Sequence, residues 1–326
     1  MRYRLNLHAF ESVINATTSN QSKNNLTAEV KTYYSDYIID VAGPELVHDQ
    51  FGQKRPIPAG NGKSIEFRKF TPLAKVTTAL VEGVTPEGQA LDVSTITATV
   101  KQYGGFVTLT DLLDLTAIDN VKTEAVQLIG SQAGRSLDTV VREVLNGGTN
   151  VQYHEGERAG RANLTESDTL TVKAIKRAVR TLKRQNAKRI DDAYIGIVHP
   201  DAAFDLMNDP EWIDWQKYTT PEKMYEGEIG KIAGVRFVET TEAKIFEKSG
   251  GSGTNLDVYS TLIIAKDAYG TTEITGGGLE LIVKQKGSGG TADPLDQRST
   301  IGWKASKTAE RLVEDYMVRV ETVVSK

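Results

Sequence analysis

The stretch SIEFRKFTPLAKVTTALVEGVTPEGQALDVSTITATVKQYGGFVTLT, residues 64–110, contains two long extended runs around a turn-rich tip. The outgoing run is Ile65 to Val81, interrupted at Thr71-Pro72. The tip holds Gly83, Pro86 and Gly88, and the return run is Leu91 to Thr110. Ile65-Glu66-Phe67-Arg68 alternates apolar and charged residues with a period of two, as a strand does. On the return, Ile96, Ala98 and Val100 share one face, and Thr95, Thr97 and Thr99 share the other. Gly104-Gly105 is the expected site of a bulge. With limbs of about twelve residues the hairpin would project roughly 40 Å at 3.3 Å per residue.

Gly62-Lys63-Ser64, at the start of this stretch, invites a phosphate-loop reading that its surroundings refuse. A Walker A loop needs a glycine five positions before Gly62, where Ile57 stands, and a helix afterwards; a strand pattern follows instead. A two-stranded ribbon is marginal alone in water and needs another surface. Its charges are mixed: Glu66, Arg68, Lys69, Lys75, Glu82, Glu87, Asp92 and Lys101. Such a face suits either complementary charges on a second molecule or plain solvation on an ordinary sheet.

Outward from the ribbon the pattern changes. Residues 11–35 are polar, rich in Asn, Ser and Thr, and only weakly periodic, a composition that orders poorly by itself. They are expected to form an arm pinned by a neighbouring subunit, the alternative being a tail lying on its own domain. From Asp119 to Leu145, Val121, Ala125, Leu128, Ile129, Ala133, Leu137, Val140, Val141, Val144 and Leu145 recur at spacings of three and four. This is one long amphipathic helix, capped by Asp119 or Asn120 and stopped by Gly147-Gly148.

A second helix is expected over Val172–Asn186. Its apolar face is Val172, Ile175, Val179 and Leu182, and its other face carries Lys173, Lys176, Arg177, Arg180, Lys183 and Arg184, with Lys188 and Arg189 just beyond. Two readings stay open: a solvated face, or a salt-sensitive contact with phosphate or an acidic subunit. Tyr194–Val198 reads as a buried strand, Pro200 as the first turn of a helix to about Asn208, and Pro210 as a break before Trp212, Trp215 and Tyr218. Gly230 to Gly234 turns into the strand Val235–Val238, SGGSGT at 249–254 reads as a flexible loop, and strands at 258–265, 279–284 and 316–324 complete the chain.

Composition bounds the function. The chain has 326 residues, enough for about two domains, 39% hydrophobic residues and a formal net charge of −4, unlike a dedicated nucleic-acid binder. The absence of cysteine removes disulfides, thiolate metal sites and cysteine nucleophiles. His8, His48, His154 and His199 have no partner at metal-ligand spacing. Gly130-Ser131-Gln132-Ala133-Gly134 lies mid-helix and is not a nucleophile elbow. Asp191-Asp192 and Asp293…Asp296 suit turns and caps, and Trp212 and Trp215 suit core or interface anchors. No catalytic residue, cofactor or metal is expected. With no signal peptide and no membrane-spanning run, the chain is expected to be made in the cytosol.

The order of parts, and the strings GKSIEFRKFTPL (62–73), LVEGVTPEGQ (80–89), VTLTDLLDLTAID (107–119), VVREVLNGGTNVQY (140–153), AVRTLKRQNAK (178–188), GEIGKIAGVRFVETTEAKIF (227–246), DAYGTTEI (267–274) and TADPLDQRSTIGWK (291–304), resemble the major capsid proteins of tailed bacteriophages with the Hong Kong phage (HK-ninety-seven) fold, nearest the N-four-like phage coat-protein family. The resemblance implies an α+β fold with an N-terminal arm (1–60), an extended β-hairpin E-loop (61–112), a P-domain with a long spine helix (113–190), an A-domain (191–285) and a return to the P-domain (286–326). It implies a structural, non-enzymatic protein that self-assembles as hexamers and pentamers into an icosahedral virion shell around double-stranded DNA, in the host bacterial cytoplasm. Portal, scaffolding and decoration proteins are implied partners, and no membrane. With no extra N-terminal scaffolding region visible, a separate scaffold or none is expected.

Lys63, Arg68, Lys69, Lys75, Glu82 and Glu87 then become expected inter-subunit contacts, and Lys173, Arg177, Arg180 and Arg184 a lumen-facing basic helix. No E-loop lysine matches a crosslinking site. Alternatives are an encapsulin-like compartment shell with the same fold, a cytosolic enzyme using Lys63 or the carboxylates, and an adhesin-like module, which would need an export signal.

Overall fold

A computed structural model of the chain describes residues 46–70, 73–80, 82–83, 85–116, 121–216, 230–251, 255–288 and 293–325. The polar arm expected over 11–35, the capping residues Asp119 and Asn120, and residues 252–254 of the glycine-rich loop lie outside them; the loop's first two residues, Ser249 and Gly250, belong to a strand instead.

The ribbon forms, but it is shorter than the sequence suggests. β2 (Ser64–Phe70) and β3 (Val93–Thr99) pair antiparallel from Ser64↔Thr99 to Phe70↔Val93. Seven residues per limb span about 23 Å at 3.3 Å per residue. Pro72, two residues on, has no N–H to give a ladder, and residues 73–80 and 85–92 continue without strand pairing. The return run divides at Val100, whose N–H donates to the Lys63 carbonyl at 2.8 Å. Beyond it, β4 (Lys101–Thr110) changes partner and pairs with β13 (Arg298–Arg311) in unbroken register, Thr110↔Arg298 to Lys101↔Lys307. The expected bulge at Gly104-Gly105 is therefore absent. Glycine serves close approach instead, since a Cβ on Gly104 would lie 2.7 Å from the carbonyl oxygen of Trp303.

β13 is the longest strand and organises a five-stranded sheet. Both β4 and β12 (Glu280–Lys284) pair with its Thr300–Lys304, so they flank it. β11 (Tyr269–Thr272) pairs with its last four residues, and β1 (Gln53–Lys54) runs parallel to β11. A short helix, α1 (Asp111–Thr116), leads from β4 toward the long helix α2 (Val121–Asn146). Val126, Ile129, Ala133 and Leu137 of α2 pack on Leu109, Ile301, Trp303 and Ala305 of the sheet. Trp303 Nε1 donates to Gln132 Oε1 at 3.2 Å, so the indole's polar atom is satisfied beside the core. Leu128, expected on the buried stripe, is 62% exposed; it lies about 100° around the helix from Ile129, off the seam. The helix rises about 39 Å at 1.5 Å per residue.

The last two turns of α2 meet a second sheet. Val141 and Leu145 join Ile195, Ile197, Leu262, Tyr269, Ala309 and Met317 in one buried cluster, so the helix seals both sheets. The second sheet has the order β5-β14-β10-β6-β8-β7, with β9 also on β10. These strands are β5 (Val151–Tyr153), β6 (Tyr194–Val198), β7 (Lys231–Ile232), β8 (Val235–Glu239), β9 (Ile245–Gly250), β10 (Leu256–Ile264) and β14 (Met317–Thr322). α3 (Val172–Arg184) covers it with Val172, Ile175, Val179 and Leu182, and the Thr171 hydroxyl caps the helix by accepting from Ala174 N at 3.1 Å.

α4 (Pro200–Met207) starts at Pro200 as expected, with His199 Nδ1 accepting from Asp201 N at 3.2 Å. Pro210 does more than break a pattern: it opens α5 (Pro210–Gln216), where proline's fixed φ suits a first turn. Trp212 of α5 is buried, edge-on to Phe237 at 6.5 Å. The side chain of Trp215 and all of Tyr218 lie outside the described residues.

Each sheet draws strands from segments far apart in the chain. β5, from 113–190, and β14, from 286–326, belong to the seven-stranded sheet that α3 covers, while β11 and β12, from 191–285, pair with β13. Strand pairing across long sequence separations overrides chain order here, because the end of the chain supplies an interior strand to one sheet and the axis of the other.

Candidate functional surfaces

The six charged residues expected at inter-subunit contacts are distributed along the ribbon. Lys63 sits at its root, Arg68 and Lys69 oppose Thr95 and Ser94 on the ladder, and Lys75, Glu82 and Glu87 lie beyond it. All are exposed, and among the described residues none has an ion-pair partner. Between them stand four apolar side chains that charge reading overlooked: Leu73, Val76, Leu80 and Leu91, exposed by 54, 73, 75 and 69%. Their signal in the sequence is Pro72, which has no N–H to give a ladder and so leaves the apolar residues beyond it without strand pairing. The root is fixed. Phe67 is buried against Gly270 of β11, with Arg55 Cζ 5.9 Å over its ring, and Ala98 and Val100 are buried alongside it.

The basic face of α3 divides into two halves. Lys173 is ion-paired with Glu155, and Lys176 Nζ lies 2.5 Å from Glu211 Oε2. Burial alone would raise the Glu155 carboxyl, but hydrogen bonds from Lys173 and Thr171 outweigh it and hold the group below its ordinary value. Arg177, Arg180, Lys183 and Arg184 are exposed and have no ion-pair partner among the described residues. Lys173 therefore belongs to an internal pair, and the free charge lies on the C-terminal half of the helix.

Where the described chain begins, a buried polar network joins three elements. His48 bonds Asp138 of α2 by both its backbone N–H and its ring, and Lys307 Nζ of β13 lies 2.9 Å from Asp49 Oδ2. The Tyr269 hydroxyl donates to the His48 carbonyl. Burial, with the Asp49 charge adding to it, pushes that phenol far above its ordinary range. The sequence shows no partner for His48 at metal-ligand spacing, and Asp138, which it does bond, is 90 positions away.

Among the described residues no group of three or more His, Asp or Glu is placed to hold a metal ion, and no helix is long and apolar enough to cross a membrane. His154 Nδ1 lies 3.0 Å from the Thr169 carbonyl, and His199 caps α4. Asp293 accepts from Arg298 N at 2.8 Å, a turn role as expected.

The family model described as phage capsid protein matches residues 47–274. No curated protein matches the chain significantly. Among solved structures, the capsid of the cyanophage P-SCSP1u aligns at TM-score 0.65 and 16% identity over 84% of this chain and 87% of that one. The capsid of Ralstonia phage GP4 gives 0.65 and 13% over 86% and 88%, and that of cyanophage Pam1 gives 0.60 and 15% over 81% and 86%. At such identities the likeness is one of fold, and that fold is the Hong Kong phage (HK-ninety-seven) capsid fold expected from the sequence. The chain belongs to the phage capsid protein family and is a major capsid protein of the virion shell.

Proposed function

We propose that the chain tiles an icosahedral shell as hexamers and pentamers, with the ribbon of residues 61–112 acting as an E-loop laid over a neighbouring copy and residues 1–60 as an arm doing likewise. The single observation that supports this is the ribbon itself: its root is held by Phe67, while its outer part carries four exposed apolar side chains and, in Lys75, Glu82 and Glu87, charges of both signs with no ion-pair partner among the described residues. Covering each Leu or Val contributes on the order of 1–2 kcal/mol, and repetition around a closed shell makes such contacts collectively tight. The shell assembles in the host bacterial cytoplasm without catalysis, alongside portal, scaffolding and decoration proteins. It encloses double-stranded DNA, which the free cations Arg177, Arg180, Lys183 and Arg184 contact without regard to sequence.

Deleting residues 76–92 tests the central point. Among the described residues no buried side chain is removed, so the chain is expected to remain helical by circular dichroism yet fail to close into shells under the electron microscope. Normal shells from the deletion would overturn the E-loop assignment.

A further inference from the structure

Arg177 occupies a place built for its guanidinium rather than a random position on a basic helix. Gly156, in the turn after β5, has φ +77, and a Cβ there would lie 2.6 Å from Cζ and 2.7 Å from Nε of Arg177. Only glycine leaves that space open. The turn is closed by Gly156 N donating to Tyr153 O at 2.7 Å, and the guanidinium borders a polar groove of about 230 Å³ between β5 and α3. At roughly 30 Å³ of liquid volume per water, the groove has room for a hydrated anion.

The other wall is the free edge of a sheet. Among the described residues β5 is the terminal strand, paired only with β14. Arg319 N donates to Asn150 O at 3.0 Å and His154 N to Glu321 O at 2.8 Å, so alternate backbone groups face β14. By the alternation of a parallel ladder the N–H of Tyr153 turns away from β14, and Tyr153 is among the residues lining the groove. The second arginine at the groove, Arg158, is committed: its guanidinium donates to both oxygens of Asp168 at 2.8 and 2.9 Å. Arg177 has no acidic partner among the described residues. A guanidinium without an acidic partner among the described residues and a strand-edge residue line the same polar groove, and a guanidinium with a backbone N–H is the donor set that binds an oxyanion.

We propose that this groove is a seat for one phosphate group, held by Arg177 and the Tyr153 N–H, with Gly156 as the space that admits the guanidinium. The inference rests on the reading of α3 as DNA-facing and narrows it: the helix offers one structured phosphate position at Arg177, and diffuse attraction at Arg180, Lys183 and Arg184.

The test is titration of inorganic phosphate into shells of the full-length protein at constant ionic strength in sodium chloride, followed by calorimetry. Saturable uptake is expected in the wild type. Arg177→Gln and Gly156→Ala should each weaken it roughly tenfold or more, as loss of a charge-assisted hydrogen bond would, while Arg180→Gln, an equal change in charge outside the groove, should shift it less than about twofold. Gly156→Ala keeps every charge and puts a methyl group where the guanidinium lies, at a further cost in backbone strain at φ +77, so in shells that still form it separates a built seat from general attraction. Uptake that does not saturate, or that survives both Arg177→Gln and Gly156→Ala, overturns the proposal. In a second arm, a DNA duplex that displaces the bound phosphate assigns the seat to a backbone phosphodiester. A duplex that does not displace it assigns the seat to free phosphate, and the DNA-facing reading is then judged by charge reversal at Arg180 and Arg184 alone.

Discussion

Asp138, buried midway along α2, accepts two hydrogen bonds from the single residue His48: the backbone N–H reaches Oδ1 at 2.7 Å and ring Nδ1 reaches Oδ2 at 2.6 Å. A carboxylate only accepts, so Nδ1 carries the hydrogen. The pair fixes the point where the chain enters its described fold to the helix that seals both sheets. Asp138→Ala leaves two donors buried without an acceptor and is expected to lower stability by about 3–5 kcal/mol. His48→Ala should be costly too, and the double variant should fall short of the sum by about 0.5–3 kcal/mol. Chemical denaturation of the four proteins measures this, and strict additivity would show that the two residues act separately.

Phe67 and Gly270 make the corresponding fastening for the ribbon. A Cβ on Gly270 would sit 2.6 Å from a ring carbon of Phe67, so the strand β11 accommodates the ring only where it has no side chain. Gly270→Ala is expected to push the ring out and cost about 1–3 kcal/mol. Phe67→Ala removes the ring and should cost about 3–5 kcal/mol. In both, limited proteolysis should cut between residues 61 and 100 sooner than in the wild type. Unchanged cleavage would mean that Ala98 and Val100 hold the root without help.

The sequence made local periodicity plain and long-range pairing opaque. The ribbon's alternation from Ile65 to Arg68, the stripe of α2 and the apolar face of α3 are each written in neighbouring residues, and each formed. β13 escaped notice because its buried positions include Ser299, Gly302, Ser306 and Lys307, which lack the apolar signature of a strand. Lys307 is tolerated there because Asp49 meets it from the far end of the chain. The same separation hid His48–Asp138. Charge on α3 was legible; which charges were already spent was not, since Glu155 and Glu211 reach the helix from flanking segments.

That division of α3 sharpens a prediction about DNA. Arg180→Glu with Arg184→Glu reverses two cations that have no ion-pair partner among the described residues, so no described ion pair is lost. Expected are intact shells that retain less DNA, with the deficit shrinking as salt rises, because exposed charges are screened beyond about 10 Å at 0.1 M. Lys173→Glu, by contrast, breaks the pair with Glu155 and should act on stability rather than packaging. Retention that is equal in all three proteins would return the helix to the solvated reading.

Asp168 gives the chain a defined response to acid. Burial by itself would raise this carboxyl, but hydrogen bonds from the Arg158 guanidinium, the Thr165 N–H and the Thr165 hydroxyl outweigh that effect and hold it below its ordinary value of 3.8. A group whose value is depressed by folding stabilises the protein fully above its unfolded value and ceases to do so as the pH falls through the folded one. Across that window the unfolded chain binds more protons, so stability must decline as acid is added. Asp168→Asn should therefore be less stable at neutral pH and lose less on further acidification. Glu143, Glu155 and Glu314, also held below their ordinary values, should keep some slope in place. Melting temperatures recorded from about pH 6 to pH 3 should show the wild-type and variant curves converging toward the acid end; parallel curves would mean that the Asp168 contacts carry no proton-linked stability.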